Sequence, residues 1–191
     1  SLGFSSNFYF HYSGQQYGAE SGLLKPFLHT WSLSVEEQFY ILFPIIFLFI
    51  FKNFNKSILS FLIIGFTLSL IISEFGSRNY PSLNFYIISS RVWELLIGSI
   101  LAYLEIKFGS RNKELKLNKI LPSIGLILIL LNIVFFKLYF RHPSFFTLPS
   151  VIGTCLIIWF SNKNEFVGKL LSSKIFVSIG LISYSLYLWH Y

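Results

Sequence analysis

The sequence predicts an all-α integral membrane protein, a multi-pass helical bundle with about six transmembrane helices. Of its 191 residues, 54% are hydrophobic and only 12% are charged, and the mean hydropathy is +0.64. A soluble domain carries roughly 25% charged residues. Aromatic residues make up 20% of the chain, which is typical of lipid-facing helices and of the aromatic belts at membrane surfaces.

Six apolar segments follow one another along the chain, at about 35–51, 58–73, 83–106, 120–136, 147–161 and 175–191. At ~1.5 Å per residue, most of these segments approach the ~30 Å thickness of the hydrocarbon layer. A backbone in lipid must satisfy its own hydrogen bonds, so each segment is predicted to be a helix. We treat residues 1–191 as one partial membrane domain, in which 1–33 is an extracytoplasmic loop.

The net charge of +7 is explained by the loops between these segments. Ten of the 15 Lys and Arg residues lie in loops 52–57, 107–119 and 162–174. The positive-inside rule therefore places these three loops in the cytoplasm. Because the basic residues orient helices, we expect a membrane lipid environment and no nucleic acid partner. The single cysteine, Cys155, lies in an apolar segment, so we expect no cysteine-based metal site.

A dense group of polar residues precedes the first apolar segment, at the predicted outer membrane surface: His29, Trp31, Ser32, Glu36 and Glu37. One interpretation is structural, because Ser34-Val-Glu-Glu37 fits a capping box in which Ser34 begins the helix. Considered without its neighbours, Trp31 is interpreted as an anchor at the membrane surface. The alternative is that these side chains belong to a functional site.

Two ionisable residues, Arg91 and Glu94, lie inside the third apolar segment. Each is expected to cost roughly 2.5–3.5 kcal/mol at the centre of a membrane helix. They are three residues apart, so they share a helix face and can form an ion pair. Since intramembrane charges usually serve a function, we predict a functional role for this pair. Gly98 and Ala102 are predicted to allow close helix packing.

If the last segment is a helix, Ser183, Tyr187 and His190 lie within about 60° of one another around its axis. This stripe is predicted to face protein or a cavity. His11 and His142 fall in predicted outer loops and are interpreted as ordinary surface residues. Ionisable and hydroxyl groups gathered at the outer side of a bundle suit acyl transfer or proton transfer, and they also suit a transporter. Spacing alone does not choose between these classes.

Three stretches resemble signature sequences of the acyltransferase 3 family of integral-membrane acyltransferases, in the branch that O-acetylates bacterial surface polysaccharides. They are FLHTWSLSVEEQFYILFP (27–44), SSRVWELLIGSILAYL (89–104) and LISYSLYLWHY (181–191). The resemblance implies a bundle of roughly ten helices, of which this chain would supply the fourth to ninth. It also implies that the family's catalytic His, on the first helix, is absent from this chain, so that the fragment alone is expected to be inactive.

The resemblance further implies transfer of an acyl group from acyl-CoA, usually acetyl-CoA, to a hydroxyl of a cell-surface polysaccharide or glycolipid such as lipopolysaccharide O-antigen. The implied location is the bacterial inner membrane, and a metal is not expected. Both direct transfer and an acyl-enzyme route remain open. The alternative function is a polytopic secondary transporter or flippase with an intramembrane Arg91–Glu94 site.

Residue roles follow from the positions that match the family's signatures. Glu36, Glu37, Arg91 and Glu94 are expected to support catalysis, Arg91 and Glu94 by shaping the central cavity. The expected substrate-binding residues are His29, Trp31, Ser32, Tyr184 and His190.

Overall fold

The computed structural model describes residues 5–12, 28–109, 117–135 and 141–189. Within these ranges the protein is helical and contains no strand. The described residues form nine α-helices: α1 (Ser6–Tyr12), α2 (Trp31–Phe54), α3 (Ile58–Asn79), α4 (Pro81–Tyr86), α5 (Val92–Phe108), α6 (Leu117–Phe135), α7 (Leu148–Phe160), α8 (Phe166–Leu171) and α9 (Lys174–Trp189). The predicted all-α class is confirmed for this part of the chain.

The two longest helices, α2 and α3, are joined by a short 3-10 turn at Asn55–Ser57. Together with the turn that precedes them they make one helical run, Leu28–Asn79, and within the described residues this is the run long and apolar enough to cross a membrane. The helices have 24 and 22 residues, and each reaches the ~20 residues that a spanning helix needs. The predicted segments 35–51 and 58–73 lie inside them.

Three further apolar helices are shorter, at Ile120–Phe135, Phe145–Phe160 and Lys174–Trp189. They correspond to the last three predicted segments and begin or end within a few residues of the expected positions. Pro149 lies in the first turn of α7, where a missing backbone N–H costs no hydrogen bond within the helix.

The described residues separate into two compact units. The first contains α1 to α4, the start of α5 up to Leu96, and the 141–145 loop, Arg141–Phe145. Its apolar core is formed by Phe10, Leu28, Trp31, Val35 and Tyr86. The core therefore lies where α1 and α4 pack against the beginning of α2.

The second unit contains the pair α6 and α7, followed by α8 and α9. Helices α6 and α7 cross at Gly125 and Gly153, where a Cβ atom added to either glycine would lie 2.5 Å from the carbonyl oxygen of the other. Only glycine allows the two backbones to approach this closely. Helix α9 has no buried residue.

Gly98, which the sequence suggested as a packing position, behaves differently. A Cβ atom added there meets no described atom within 4 Å. Its role in close packing is therefore not seen in the described part of the chain.

The third predicted helix, 83–106, is interrupted in the structure. Helix α4 ends at Tyr86, Ile87 is extended with φ −85° and ψ 141°, and a 3-10 turn at Ile88–Ser90 leads to α5. The prediction of one continuous helix is wrong, because apolar composition does not specify the continuity of the hydrogen-bond ladder. Arg91 lies at the turn just before α5 and not within a helix.

Candidate functional site around Arg91

The interruption before α5 frees backbone groups that side chains then satisfy. The hydroxyl of Ser90 donates to the carbonyl oxygens of Asn84 and Ile87. The hydroxyl of Ser69, on α3, donates to the Ser89 carbonyl at 2.6 Å and accepts from the backbone N–H of Trp93 at 3.1 Å. Non-helical backbone at membrane depth is tolerated where protein groups replace the lost helical bonds.

Two more of these carbonyls are bound by residues from elsewhere in the first unit. Arg91 donates from Nε to the carbonyl oxygen of Phe85 at 3.0 Å. The amide of Asn7, a fully buried residue on α1, donates to the carbonyl of Tyr86 at 3.0 Å. Gln38 on α2 in turn donates to Asn7 Oδ1 at 3.1 Å. Hydrogen bonds from residues of α1, α2 and α3 therefore stabilise the interruption.

The guanidinium of Arg91 lies against two aromatic rings that also contact each other. Its carbon Cζ is 4.5 Å from the ring centroid of Trp31 and 4.9 Å from that of Phe85, and the two rings are themselves 4.5 Å apart. Each cation–π contact contributes about 0.5–2 kcal/mol, more where water is excluded. Trp31 belongs to the first signature stretch and Arg91 to the second, so the structure brings these two stretches together.

Glu94 is the acidic partner of Arg91, as its spacing predicted. The Arg91 Nη1 to Glu94 Oε2 distance is 3.7 Å, and the side chains are 12% and 27% exposed. The other carboxylate oxygen, Oε1, is buried and has no hydrogen-bond partner among the described residues. The ion pair is therefore loose, and it leaves one acceptor of the carboxylate unused within the protein.

The start of α2 differs from the capping-box interpretation. The helix begins at Trp31 with Thr30 at its N-cap position and no side-chain capping bond. Ser34 lies one turn inside the helix, where its buried hydroxyl shares a hydrogen bond with the hydroxyl of Ser6. The capping box is therefore wrong, because Ser34 is used to attach α1 to α2.

The other predicted residues of the first signature stretch lie around this point. His29 is in the 3-10 turn Leu28–Thr30, and Ser32 is in the first turn of α2; both are half-buried. Glu36 and Glu37 are also half-buried. On an ideal helix they lie about 140° and 120° from Trp31, so they are on other faces than the residue that contacts Arg91. Their roles stay predictions.

Ser183 and Tyr184 of the last segment lie in the second unit. Tyr184 on α9 is 60% exposed. The hydroxyl of Ser183 donates to the carbonyl of Gly180 in the same helix at 2.8 Å, so it is not directed at another element. His190 lies outside the described residues. Substrate binding by Tyr184 and His190 stays a prediction.

A residue that the sequence interpretation placed on the surface is part of this region. His142 is half-buried and its ring centroid lies 6.1 Å from that of Phe85. Burial, with the nearby charge of Arg91 as a second cause, lowers the pKa of His142 to about 4. No local sequence signal identifies this placement, since His142 is 57 positions from Phe85 along the chain.

A cavity of about 300 Å³ lies between α2, α3 and the start of α5. Its lining is wholly apolar and includes Phe43, Phe47, Leu62, Ile88 and Leu96. None of the ionisable residues predicted for the site lines this cavity. It therefore suits a hydrocarbon chain and offers no side-chain hydrogen bond to a polar substrate; a common pocket for Glu36 and Arg91 stays a prediction.

Metal chemistry has no candidate centre in residues 5–12, 28–109, 117–135 and 141–189. No group of three or more His, Cys, Asp or Glu side chains is placed there to hold a metal ion. The chemistry available around Arg91 is that of a fixed cation, a carboxylate and a neutral imidazole.

The chain belongs to the acyltransferase 3 family: the family model described as an acyltransferase domain matches residues 2–191. The family resemblance seen in the three signature stretches is thereby confirmed. No solved structure matches the chain.

Two relatives show what the chain is similar to. The peptidoglycan O-acetyltransferase OatA of Listeria monocytogenes is 30% identical over 199 residues, which cover 97% of this chain and 32% of the relative. The O-acetyltransferase OatA of Staphylococcus aureus is 32% identical over 180 residues, which cover 88% of this chain and 29% of the relative. The chain thus spans about a third of the length of these curated relatives.

Proposed function

We propose that the protein is a multi-pass O-acetyltransferase of the bacterial inner membrane, which moves an acetyl group from an acyl donor to a hydroxyl of a cell-surface glycan. The observation that carries the proposal is the Arg91 arrangement, in a chain that belongs to an acyltransferase family. Acetyl-CoA is the expected donor. The similarity to a peptidoglycan O-acetyltransferase favours peptidoglycan as the acceptor over the lipopolysaccharide O-antigen considered from the sequence.

Acyl transfer requires a small set of charge movements. The acceptor oxygen forms a bond to the acyl carbonyl carbon, the carbon–sulfur bond of a thioester breaks, the hydroxyl proton passes to a base, and the sulfur leaves as thiolate. Negative charge develops on the acyl oxygen during this step. A guanidinium that cannot lose its proton stabilises such charge.

In this proposal Arg91 provides the fixed positive charge, because Trp31, Phe85 and the Phe85 carbonyl restrict its movement. Glu94 orients the guanidinium through Oε2. Glu36 and Glu37 remain proposed supporting residues, and His29 and Ser32 remain proposed substrate contacts, since they lie at the same end of α2 as Trp31. The base that removes the proton is not assigned to a residue of this chain.

The test uses the full-length protein in membranes, with labelled acetyl-CoA and purified peptidoglycan. Arg91→Ala is expected to lower the rate of acetyl transfer by about 10²-fold or more, since it removes a charge that acts in the transition state, and Glu94→Gln is expected to cause a smaller loss. Arg78→Ala is the matched control, because the Arg78 side chain is 61% exposed and pairs with Glu74 one turn away on the same helix, and pairs with an exposed partner contribute little. Full transfer by Arg91→Ala at equal expression would contradict the assigned site.

The transporter alternative has one structural observation in its favour. Interrupted helices also occur at the substrate sites of secondary transporters, and the segment Tyr86–Val92 is interrupted. Family membership nevertheless supports acyl transfer. Wild-type protein that moves a glycan precursor across vesicles without acetylating it would favour the transporter.

A further inference from the structure

A single hydroxyl group on α3 binds the backbone on both sides of Arg91. The Ser69 hydroxyl donates to the carbonyl oxygen of Ser89 at 2.6 Å, and the backbone N–H of Trp93 donates to the Ser69 oxygen at 3.1 Å. These partners lie two residues before and two residues after Arg91. Ser69 is only 5% exposed, so water does not readily replace either bond. The turn that carries Arg91 is therefore attached to α3 at both of its ends.

The bond from Trp93 replaces a cap that α5 does not supply from the residue before it. The first N–H groups of an α-helix have no partner within the helix, and a Ser, Thr, Asp or Asn side chain just before the helix usually accepts from one of them. Arg91 occupies this position before α5, and an arginine side chain contains donors but no acceptor. The hydroxyl of Ser69 takes this role instead, so the position before α5 can be occupied by arginine.

The contacts of the guanidinium depend on where this turn lies. Arg91 Nε is 3.0 Å from the Phe85 carbonyl oxygen, and Cζ is 4.5 Å from the ring centroid of Trp31. Arg91 Nη1 is 3.7 Å from Glu94 Oε2. These partners belong to α4, α2 and α5, and Ser69 adds the link to α3. Because a displacement of about 1 Å is enough to impair a catalytic group, the position of the turn matters for the chemistry of Arg91.

We infer that Ser69 is a positioning residue, which holds the turn before α5 so that Arg91 reaches its partners. For its effect on catalysis the inference rests on the proposed function, in which the guanidinium stabilises charge that develops on the acyl oxygen. Ser69 acts through the backbone of Ser89 and Trp93 and not through contact with a substrate. Loss of its hydroxyl is therefore expected to lower the rate of the chemical step and not the affinity for the acceptor.

Ser73 offers a matched control on the same face of α3. It lies one turn beyond Ser69 and is fully buried, but its hydroxyl has no hydrogen-bond partner among the described residues. Ser73→Ala thus removes a buried hydroxyl from the same helix without breaking a bond to the turn before α5. An effect that Ser69→Ala shows and Ser73→Ala lacks can be assigned to the two bonds of Ser69.

The first measurement is acetyl transfer to purified peptidoglycan by the full-length protein. Ser69→Ala is expected to lower kcat about tenfold and to leave the KM for peptidoglycan within about twofold. Ser69→Thr, which keeps the hydroxyl, and Ser73→Ala are expected to stay near the wild type. In an Arg91→Ala background, Ser69→Ala is expected to cause no further loss, because the group that it positions is absent. An equal loss of kcat in both backgrounds would overturn the inference.

A second measurement needs no acetyl transfer, so it separates this inference from the proposed function. Thermal unfolding midpoints are compared for Ser69→Ala, Arg91→Ala and the double variant of the full-length protein. If Ser69 holds Arg91 in its contacts, the double variant loses less than the sum of the two single losses, whereas the losses of Ser73→Ala and Arg91→Ala add. This result supports the inference even if the wild type transfers no acetyl group, in which case the proposed function alone fails. Additive losses for Ser69→Ala and Arg91→Ala would show that Ser69 does not position Arg91.

Discussion

Two apolar regions of this protein use their helices in opposite ways. The pair α6 and α7 keeps an unbroken backbone and brings two glycines, Gly125 and Gly153, into direct contact. The region from Pro81 to Phe108 is just as readily taken for one helix, yet it is interrupted between Tyr86 and Val92. Apolar composition therefore predicts where a helix lies but not whether its backbone is continuous.

The difference has a hydrogen-bonding cause. An interrupted helix leaves carbonyl oxygens that apolar surroundings cannot satisfy, so the break needs donors from neighbouring side chains. The interrupted region has them in Ser90, Arg91, Ser69 and Asn7. At the crossing of α6 and α7 the helical hydrogen bonds are kept. The two backbones come into close contact because neither glycine has a side chain.

The largest effect is expected from breaking the glycine crossing. Gly153→Leu would place side-chain atoms where the Gly125 carbonyl lies 2.5 Å from the Cβ position, and no flexible side chain is available to move aside. We expect destabilisation of about 3 kcal/mol or more, at or above the upper end for overpacking. The measurement is the thermal unfolding midpoint and the yield of monodisperse full-length protein in detergent.

Gly98→Leu is the control for this change, because a Cβ atom at Gly98 meets no described atom within 4 Å. It should retain nearly the wild-type midpoint. Equal midpoints for the two leucine variants would show that α6 and α7 do not depend on the glycine contact.

A smaller effect is expected at the interruption. Ser90→Ala removes the donor to the carbonyls of Asn84 and Ile87, and an unsatisfied buried group costs about 1–3 kcal/mol. Ser183→Ala is the counterpart on α9, where the exposed hydroxyl bonds to a carbonyl of its own helix; it should change stability by about 0.5 kcal/mol or less. If Ser90→Ala unfolds at the same temperature as Ser183→Ala, the bonds of Ser90 do not hold the interruption.

A further effect concerns pH and the 141–145 loop. The pKa of His142 is about 4 in the folded protein, against an ordinary value of 6.5. The unfolded chain therefore binds a proton between these values that the folded chain excludes, so stability is complete above pH 6.5 and falls as the pH decreases toward 4. His142→Gln should reduce this dependence when unfolding midpoints are compared at pH 7 and pH 4.5; an equally steep decline in the variant would show that other groups cause it.

Part of the candidate site was predictable from local spacing. The three-residue separation of Arg91 and Glu94 predicted their ion pair, and the pair is present. The positions Ser69, Ser73 and Ser77, four residues apart on α3 and all buried, were a further signal that the interpretation missed, since such spacing marks one helix face. The contact of Trp31 with Arg91 had no such signal, because the two residues come from different elements.

The sequence alone determined the helical class, the approximate extent of the helices and the family, because hydropathy and signature residues are properties of neighbouring positions. Only the tertiary structure decided where the third segment breaks, which rings hold Arg91 and why His142 is not a surface residue. Each of these depends on a donor or a ring from a distant part of the chain, such as Asn7, which binds a carbonyl 79 positions away. Free carbonyls in an apolar region can accept a hydrogen bond from any suitable donor that the fold brings near, and local sequence does not specify which donor this is.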